Sequence, residues 1–201
     1  MTMIRIGRIV IIAYFLIAVN GCGASGPSRF YTLDSTATPE GTPAASYTVA
    51  VGPVTLPASV DRPQFVVQVG PNRVAIDEFN RWAAPLDENI ARAVAGNLAA
   101  LLGTPQVARA PFANFDPAYR VTIDVQRFES VPGESALIEV VWTVRRSTDG
   151  ETRSGRTVAR EPVQGKDFET LAAAHSRALA KISGDIAAAI QAEAGAAGKT
   201  P

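Results

Sequence analysis

Cysteine and histidine are almost missing from this chain of 201 residues, which contains one of each, Cys22 and His175. A single cysteine excludes an internal disulfide and a metal site built from several thiolates. The sequence also has no Gly-rich phosphate loop, no Gly-x-Ser-x-Gly elbow and no His/Cys/Asp cluster with metal-ligand spacing. We therefore predict a protein without catalytic residues, metal site or cofactor.

The chain also lacks an excess of charge of either sign, since 19 basic residues balance 19 acidic ones. Arg5 and Arg8 belong to an N-terminal leader, so the remainder has 17 basic and 19 acidic residues, a formal charge of about −2. A near-neutral chain without a basic run is a poor candidate for electrostatic binding to nucleic acid or to an anionic membrane. We expect no nucleic-acid partner.

The first 22 residues have the pattern of a bacterial lipoprotein leader. A basic start precedes the apolar run Ile9–Val19, which is shorter than the ~20 residues that a membrane-spanning helix needs. Gly21 supplies a small residue at the cleavage point, and Cys22 supplies the thiol that takes the diacylglycerol. We predict a signal peptide over residues 1–21 and a lipid anchor on Cys22.

A plain cleaved signal peptide with a chance cysteine is the alternative. The sole cysteine stands at the one position where lipidation needs it, which favours the lipoprotein, although Asn20 is not the commonest residue in such a box. Gly23, and not aspartate, follows the cysteine. In the usual bacterial sorting logic this residue predicts export to the outer membrane, with the chain facing the periplasm.

Residues 22–46 are predicted to form the lipidated N-terminus and a tether, because they are rich in Pro, Ser, Thr, Gly and Ala and cannot bury enough apolar surface to fold. Two aromatic residues and a leucine within residues 29–33 favour a short strand docked on the domain. The free tether then has about eight residues and reaches at most ~27 Å. The domain is therefore expected to stay close to the membrane.

Residues 47–192 are predicted to form one domain, in which strand patterns recur. The predicted strands are Tyr47–Val51, Phe65–Val69, Arg73–Ile76, Gln106–Ala108, Tyr119–Gln126, Leu137–Val144 and the more polar, edge-like Thr152–Val163. The second and third of these make a hairpin. Val54–Pro63 is predicted to be a loop or an irregular edge, because proline cannot donate hydrogen bonds to a strand ladder.

Two segments have helical periodicity. The first begins at Leu86, with Asp87 as its predicted cap, and ends at Gly103; the second runs from Asp167 to about Gln191. Residues 193–201 are predicted to be a flexible tail. We therefore predict an α+β fold, a single domain in which two main helices pack on a mostly antiparallel or mixed sheet.

The candidates for acid/base chemistry have simpler interpretations. His175 falls near the centre of the apolar stripe of the last helix, where we expect it to pack with one hydrogen bond and not to react. Asp77 and Glu78 are adjacent carboxylates, but one adjacent pair is typical of a solvated turn.

Three segments in combination resemble a known family. They are Phe30–Leu33, the stretch from Val51 to Gln64 with its Gly-Pro, Leu-Pro and Asp-Arg-Pro-Gln sequences, and Phe79–Leu86 with its Arg-Trp-Ala-Ala-Pro-Leu sequence. A fourth segment, His175–Leu179, is similar to the C-terminal part of the same family. The chain thus resembles the PqiC-like ABC-type transport auxiliary lipoproteins over almost all of its mature length.

The resemblance implies a non-enzymatic outer-membrane lipoprotein that works with a mammalian-cell-entry (MCE) protein and, in many operons, with an ABC permease and ATPase. Such systems are associated with moving phospholipid or other hydrophobic molecules across the periplasm. The implied fold is α+β, with helices packed on a sheet. No catalytic residues carry over from the family.

Residues 61–64 and 79–86 are interpreted as loop-like segments that form the partner surface, for the MCE protein or for further copies of this chain. They hold residue types that are enriched at interface hot spots, namely Arg62, Phe79, Arg81 and Trp82. The alternative is that Phe79 and Trp82 only cover the sheet end beneath the first helix. In that case the polar strand Thr152–Val163 is the next candidate surface.

A function of a different class also has to be considered. The chain would then be a periplasmic cell-envelope hydrolase or a cell-wall-binding lipoprotein. A hydrolase would need an activity that a single, buried histidine cannot readily supply. The sequence therefore favours the transport component.

Overall fold

The structure is a computed structural model that describes residues 26–39, 45–109 and 116–197. Cys22 and the predicted signal peptide lie outside these ranges. The strands are β1 (Arg29–Tyr31), β2 (Val49–Thr55), β3 (Gln64–Gly70), β4 (Arg73–Trp82), β5 (Val107–Arg109), β6 (Tyr119–Val131), β7 (Ser135–Arg146) and β8 (Thr152–Pro162). The helices are α1 (Leu86–Leu102) and α2 (Phe168–Ala197). None of the helices in the described ranges combines the length and the apolar character that crossing a bilayer requires.

The strands form two sheets. The larger sheet has the order β5-β2-β6-β7-β8, in which β2 runs parallel to both of its neighbours and the other pairs are antiparallel. The smaller, three-stranded sheet has the order β1-β4-β3, and β1 runs parallel to β4. The division into two sheets was not predicted from the sequence, because strand pairing depends on contacts between distant residues.

The helices pack on the five-stranded sheet and on each other, with α1 over β2 and β5 and α2 over β7 and β8. The core between them is apolar, and its fully buried side chains include Ile90, Leu98, Ile138, Leu179 and Ile186. In β6 the buried and exposed residues alternate, as the sequence pattern predicted. The predicted α+β fold with two helices packed on mixed sheets is confirmed.

Strand β2 is longer than predicted. It continues through Gly52 and Pro53 to Thr55, so the predicted loop beginning at Val54 is wrong over its first residues. The pairing of β2 with β6 shifts register between Val51 and Val54. The strand tolerates Pro53 at this irregularity because the missing N–H of proline breaks no regular hydrogen bond of the ladder.

Two further local predictions are wrong. Asp87 does not cap α1: the N-cap residue is Pro85, no side chain closes the cap, and Asp87 only adds negative charge to the first turn. Residues 79–82 are not a loop but the last part of β4. The end of α1 is as predicted, with Gly103 in the left-handed conformation (φ 64°).

The segment after β1 is bound to both helices. Leu33 is completely buried, and the side-chain oxygen of Asn97 in α1 accepts hydrogen bonds from the backbone N–H groups of Thr36 (2.8 Å) and Ala37 (2.9 Å). The N–H of Asp34 donates to the hydroxyl of Ser176 in α2 (3.1 Å). At the other terminus, α2 continues to Ala197, past its predicted end.

Candidate partner-binding site

The three-stranded sheet brings together parts of three of the segments that carry the family resemblance. Tyr31 of β1 is the register partner of Trp82 in β4, and its carbonyl accepts a hydrogen bond from the N–H of Ala83 (2.9 Å). The N–H of Trp82 donates to the carbonyl of Pro63 (2.7 Å), just before β3 begins. Residues far apart in the chain therefore form one local structure.

Aromatic side chains hold this sheet to the rest of the domain. Trp82 stacks on Phe65, with ring centroids 4.0 Å apart, and Tyr31 meets Phe65 edge-on at 5.4 Å. Phe168, the first residue of α2, packs against Phe65 from another side at 5.1 Å. Trp82 is only 4% exposed, so its side chain belongs to the core and lies beneath the predicted surface.

Phe30, Phe79 and Arg81 lie on the exposed side of the same sheet. Phe30 is 64% exposed and Phe79 is 45% exposed. Arg81 stands opposite Phe30 in the strand register, and its Nε donates to the carbonyl of Glu78 (2.8 Å). The Glu78 carboxylate also accepts a hydrogen bond from Gln64 (3.1 Å) and lies 3.6 Å from the Arg81 guanidinium. The exposed side is thus a small polar network flanked by two phenylalanines.

Asp77 determines how Phe79 is presented. Its Oδ1 accepts hydrogen bonds from the N–H groups of Phe79 (2.9 Å) and Asn80 (2.8 Å) and from the Asn80 side chain (2.9 Å). Burial tends to raise the pKa of Asp77, but these hydrogen bonds outweigh it and hold the pKa below its usual value. The turn that they form coincides with an irregularity in the pairing of β3 with β4. Asp77 therefore has a structural role in this turn.

Arg62 lies in the loop before β3 and is half-buried. Its N–H donates to the carbonyl of Val60 (2.8 Å), and its Nε is buried without a hydrogen-bond partner among the described residues. The register partner of Arg81 is Gln64, two residues after Arg62. The two arginines are therefore at the same end of the sheet, as the partner-surface hypothesis requires.

Exposed apolar side chains concentrate on the three-stranded sheet. Of the seven large apolar side chains that are exposed in the described ranges, five belong to this sheet: Phe30, Val69, Val74, Ile76 and Phe79. Sequence reasoning missed four of the five as surface residues, because apolar residues that recur in a strand ordinarily mark a buried face. A concentration of this kind is typical of an interaction surface.

His175 is packed inside the domain, as predicted. It is completely buried, its Nε2 lies 2.8 Å from the hydroxyl of Ser130, and its ring stacks on Phe128 with centroids 3.9 Å apart. Its Nδ1 has no hydrogen-bond partner among the described residues. Burial lowers the pKa of His175 to about 3. Such a weak base is poorly suited to activating the buried Ser130 as a nucleophile.

Comparisons with known proteins agree with this fold. The crystal structure of protein XCC0632 from Xanthomonas campestris matches with a TM-score of 0.72 and 22% identity, over 86% of this chain and 100% of that one. A crystal structure of an uncharacterized protein matches with a TM-score of 0.68 and 19% identity, over 82% of this chain and 99% of that one. At these identities the likeness concerns the fold alone.

No curated protein matches the chain. The family model of the ABC-type transport auxiliary lipoprotein component matches residues 31–187. This range includes almost all of the three-stranded sheet, the five-stranded sheet and most of α2. The chain therefore belongs to the family of ABC-type transport auxiliary lipoprotein components.

Proposed function

We propose that this chain is a non-enzymatic outer-membrane lipoprotein that docks an MCE-domain protein of an ABC-type system for moving phospholipid or other hydrophobic molecules between membranes. The docking surface is the exposed side of the three-stranded sheet around Phe30, Phe79 and Arg81. The observation that carries the proposal is the exposure of two phenylalanines, Phe30 and Phe79, beside Arg81 on this sheet, in a member of a transport auxiliary family.

The proposed surface has the chemistry and the rigidity that protein docking favours. Aromatic residues and arginine are the side chains most enriched at interface hot spots. The stack of Trp82 on Phe65 supports the sheet from below, and the Asp77 turn fixes the backbone at Phe79. Because the surface is already ordered, little conformational entropy is lost when a partner binds.

A docking role suits the described cavities better than a cargo-carrying role. A cleft of about 720 Å³ between β2 and the start of α1 is lined by Asp87, Glu88 and Arg109 as well as by apolar residues. Charged groups of both signs disfavour an acyl chain, because burying them without partners costs free energy. A groove between β3 and β6 has only about 200 Å³.

The membrane anchor of the proposed function is Cys22. The first described strand, β1, begins seven residues later at Arg29 and is part of the proposed docking sheet. A short tether therefore holds the docking surface near the membrane in which the lipid resides. This arrangement suits a component that receives a periplasmic partner at the membrane.

Site-specific crosslinking tests the proposal. A photoreactive amino acid replaces Phe79 in the full lipoprotein, and a matched control replaces Val158, which is no less exposed but lies on the five-stranded sheet. We expect the position 79 probe to capture an MCE-domain protein in intact cells and the position 158 probe to capture none. Capture of cell-wall enzymes instead, or capture of the same proteins by both probes, would contradict the proposal.

A further inference from the structure

We propose that the turn of the β3–β4 hairpin, residues 69–74, inserts into the headgroup region of the phospholipid membrane that holds the Cys22 anchor. The inference rests on the lipid anchoring in the proposed function. It assigns a second contact to the chain, distinct from the docking surface at the other end of the same sheet.

The direction of β1 places the anchor and the hairpin turn on the same side. Arg29 is the register partner of Asn80, and β1 runs parallel to β4. Strand β4 begins at Arg73, beside the hairpin turn, and runs away from it toward Trp82. The chain that precedes Arg29 therefore leaves the sheet in the direction of the turn.

The lengths of the tether and the hairpin agree. Strand β3 pairs with β4 from Arg81 to Arg73 and covers this distance in the six residue steps from Gln64 to Gly70, or about 20 Å at ~3.3 Å per residue, because β4 turns at Asp77. The free tether of about eight residues reaches at most about 27 Å from the same starting level. The lipid thus holds the membrane no more than about 10 Å beyond the hairpin turn, which is less than the thickness of a folded domain.

The turn has the chemistry of a shallow membrane contact. Val69 is 44% exposed and Val74 is 53% exposed, on either side of the exposed Pro71 and Asn72. Among the described residues no carboxylate lies within ion-pair distance of Arg73, which leaves its guanidinium available to a phosphate group. Apolar residues with an adjacent cation are typical of segments that lie at the membrane interface.

The turn is ordered without any partner. The side-chain amide of Gln68 donates to the carbonyls of Gly70 (2.6 Å) and Pro71 (3.3 Å). Because the anchor keeps the bilayer close to the turn, little space remains between them for a folded partner. The lipid surface is therefore the favoured occupant over a second copy of the chain. The contact is mainly apolar, since the chain as a whole has no net positive charge.

The experiment uses the full lipidated chain, in which lipidation consumes the only native thiol. Val74→Cys and the control Val158→Cys each add one free thiol, to which an environment-sensitive NBD dye is attached. Both proteins are reconstituted into phosphatidylcholine vesicles, and a fraction of the lipid carries a shallow doxyl quencher. We expect several-fold stronger quenching at position 74 than at position 158.

Each other outcome counts against the inference. Equal or absent quenching in protein that floats with the vesicles would overturn the membrane contact but leave the proposed anchoring intact. Protein that does not float with the vesicles would overturn the anchoring and the inference together. A contact between copies of the chain would give a different pair of results. The dye at position 74 would be protected from iodide in detergent, and it would not be quenched by doxyl lipid in vesicles. This pair of results would overturn the inference.

Discussion

His175 Nε2 lies 2.8 Å from the hydroxyl oxygen of Ser130, in a part of the core where both residues are buried. The contact places the chain's only histidine among apolar neighbours, and no second hydrogen bond reaches its ring within the described residues. Burial lowers the pKa of His175 from 6.5 to about 3. The folded chain therefore holds this side chain neutral.

This arrangement predicts a pH dependence of stability. The unfolded chain takes up a proton on His175 as the pH falls through about 6.5, while the folded chain does not until about pH 3. The contribution to the free energy of unfolding is constant above pH 6.5 and falls below it by up to about 1.4 kcal/mol per pH unit. Urea titrations between pH 7 and about 4.5 measure this slope.

The variant His175→Gln distinguishes the contribution of the histidine to the pH dependence of stability from that of the acidic residues. Carboxylates whose pKa is lowered in the folded chain, such as Asp77 and Glu161, lose their stabilising effect only as the pH falls below about 4.5. We expect His175→Gln to flatten the slope between pH 6.5 and 4.5, and Ser130→Ala to retain it. An unchanged slope in His175→Gln would show that another group titrates in this range.

The absence of a side chain at Gly155 makes room for the indole ring of Trp142. The two residues are register partners in β7 and β8, and a Cβ atom on Gly155 would lie 2.7 Å from two atoms of the indole ring. The indole also donates to the hydroxyl of Thr157 (3.0 Å), which restricts its movement. We expect Gly155→Ala to lower the free energy of unfolding by about 1–3 kcal/mol.

Gly184→Ala is the matched control for this glycine substitution. Gly184 lies inside α2, and apart from the adjacent residues and backbone of the helix itself no heavy atom comes within 4 Å of an added Cβ. Because alanine has a higher helix propensity than glycine, we expect the free energy of unfolding to rise by about 0.5–1 kcal/mol. Similar urea midpoints for both alanine variants would contradict the close contact between Gly155 and Trp142.

Patterns confined to one segment were predictable from the sequence. The apolar stripes of α1 and α2, the alternation in β6 and the burial of His175 each follow from the spacing of neighbouring residues, and the structure agrees with all four. Gly103 ends α1 as expected, since only the local backbone decides that position.

Features that depend on distant residues were not predictable in the same way. Residues 79–82 looked like a loop, and they became part of β4 because β1 and β3 pair with them. Val74 and Ile76 pair with β3 only, because β1 is short and covers residues 80–82 of β4, and no periodicity reveals this pairing. Trp82 was a candidate surface residue and is instead buried against Phe65.

Cys22→Ser tests the anchor. We expect this variant to leave the domain folded, because the buried apolar core of the described residues extends from Leu33 to Ile190, and to release it from the membrane of the proposed anchor. Labelled palmitate incorporation and fractionation of the envelope measure the two effects. Palmitate that is still incorporated into Cys22→Ser would contradict lipidation at this residue.

Arg62→Ala and Arg81→Ala test the charged part of the docking surface. The pair of Arg81 with Glu78 is exposed, and such pairs contribute only about 0–1 kcal/mol, so we expect melting temperatures close to that of the parent chain. Copurification of the transport partner should fall in both variants. Arg145→Ala, an exposed arginine on the five-stranded sheet, serves as the control and should bind normally. Normal partner binding by both Arg62→Ala and Arg81→Ala would leave the arginines without a role in docking.

The proposed function requires that the exposed side of the three-stranded sheet binds the transport partner. The test measures the dissociation constant of the MCE-domain partner for two double variants. The first variant combines Phe30→Ser and Phe79→Ser, and the second combines Val141→Ser and Val158→Ser. All four residues are exposed apolar side chains, and only the first pair lies on the docking sheet. We predict that the dissociation constant rises about tenfold or more in the first variant and is unchanged in the second. Unchanged binding of the first variant, or equal losses in both, would contradict the claim.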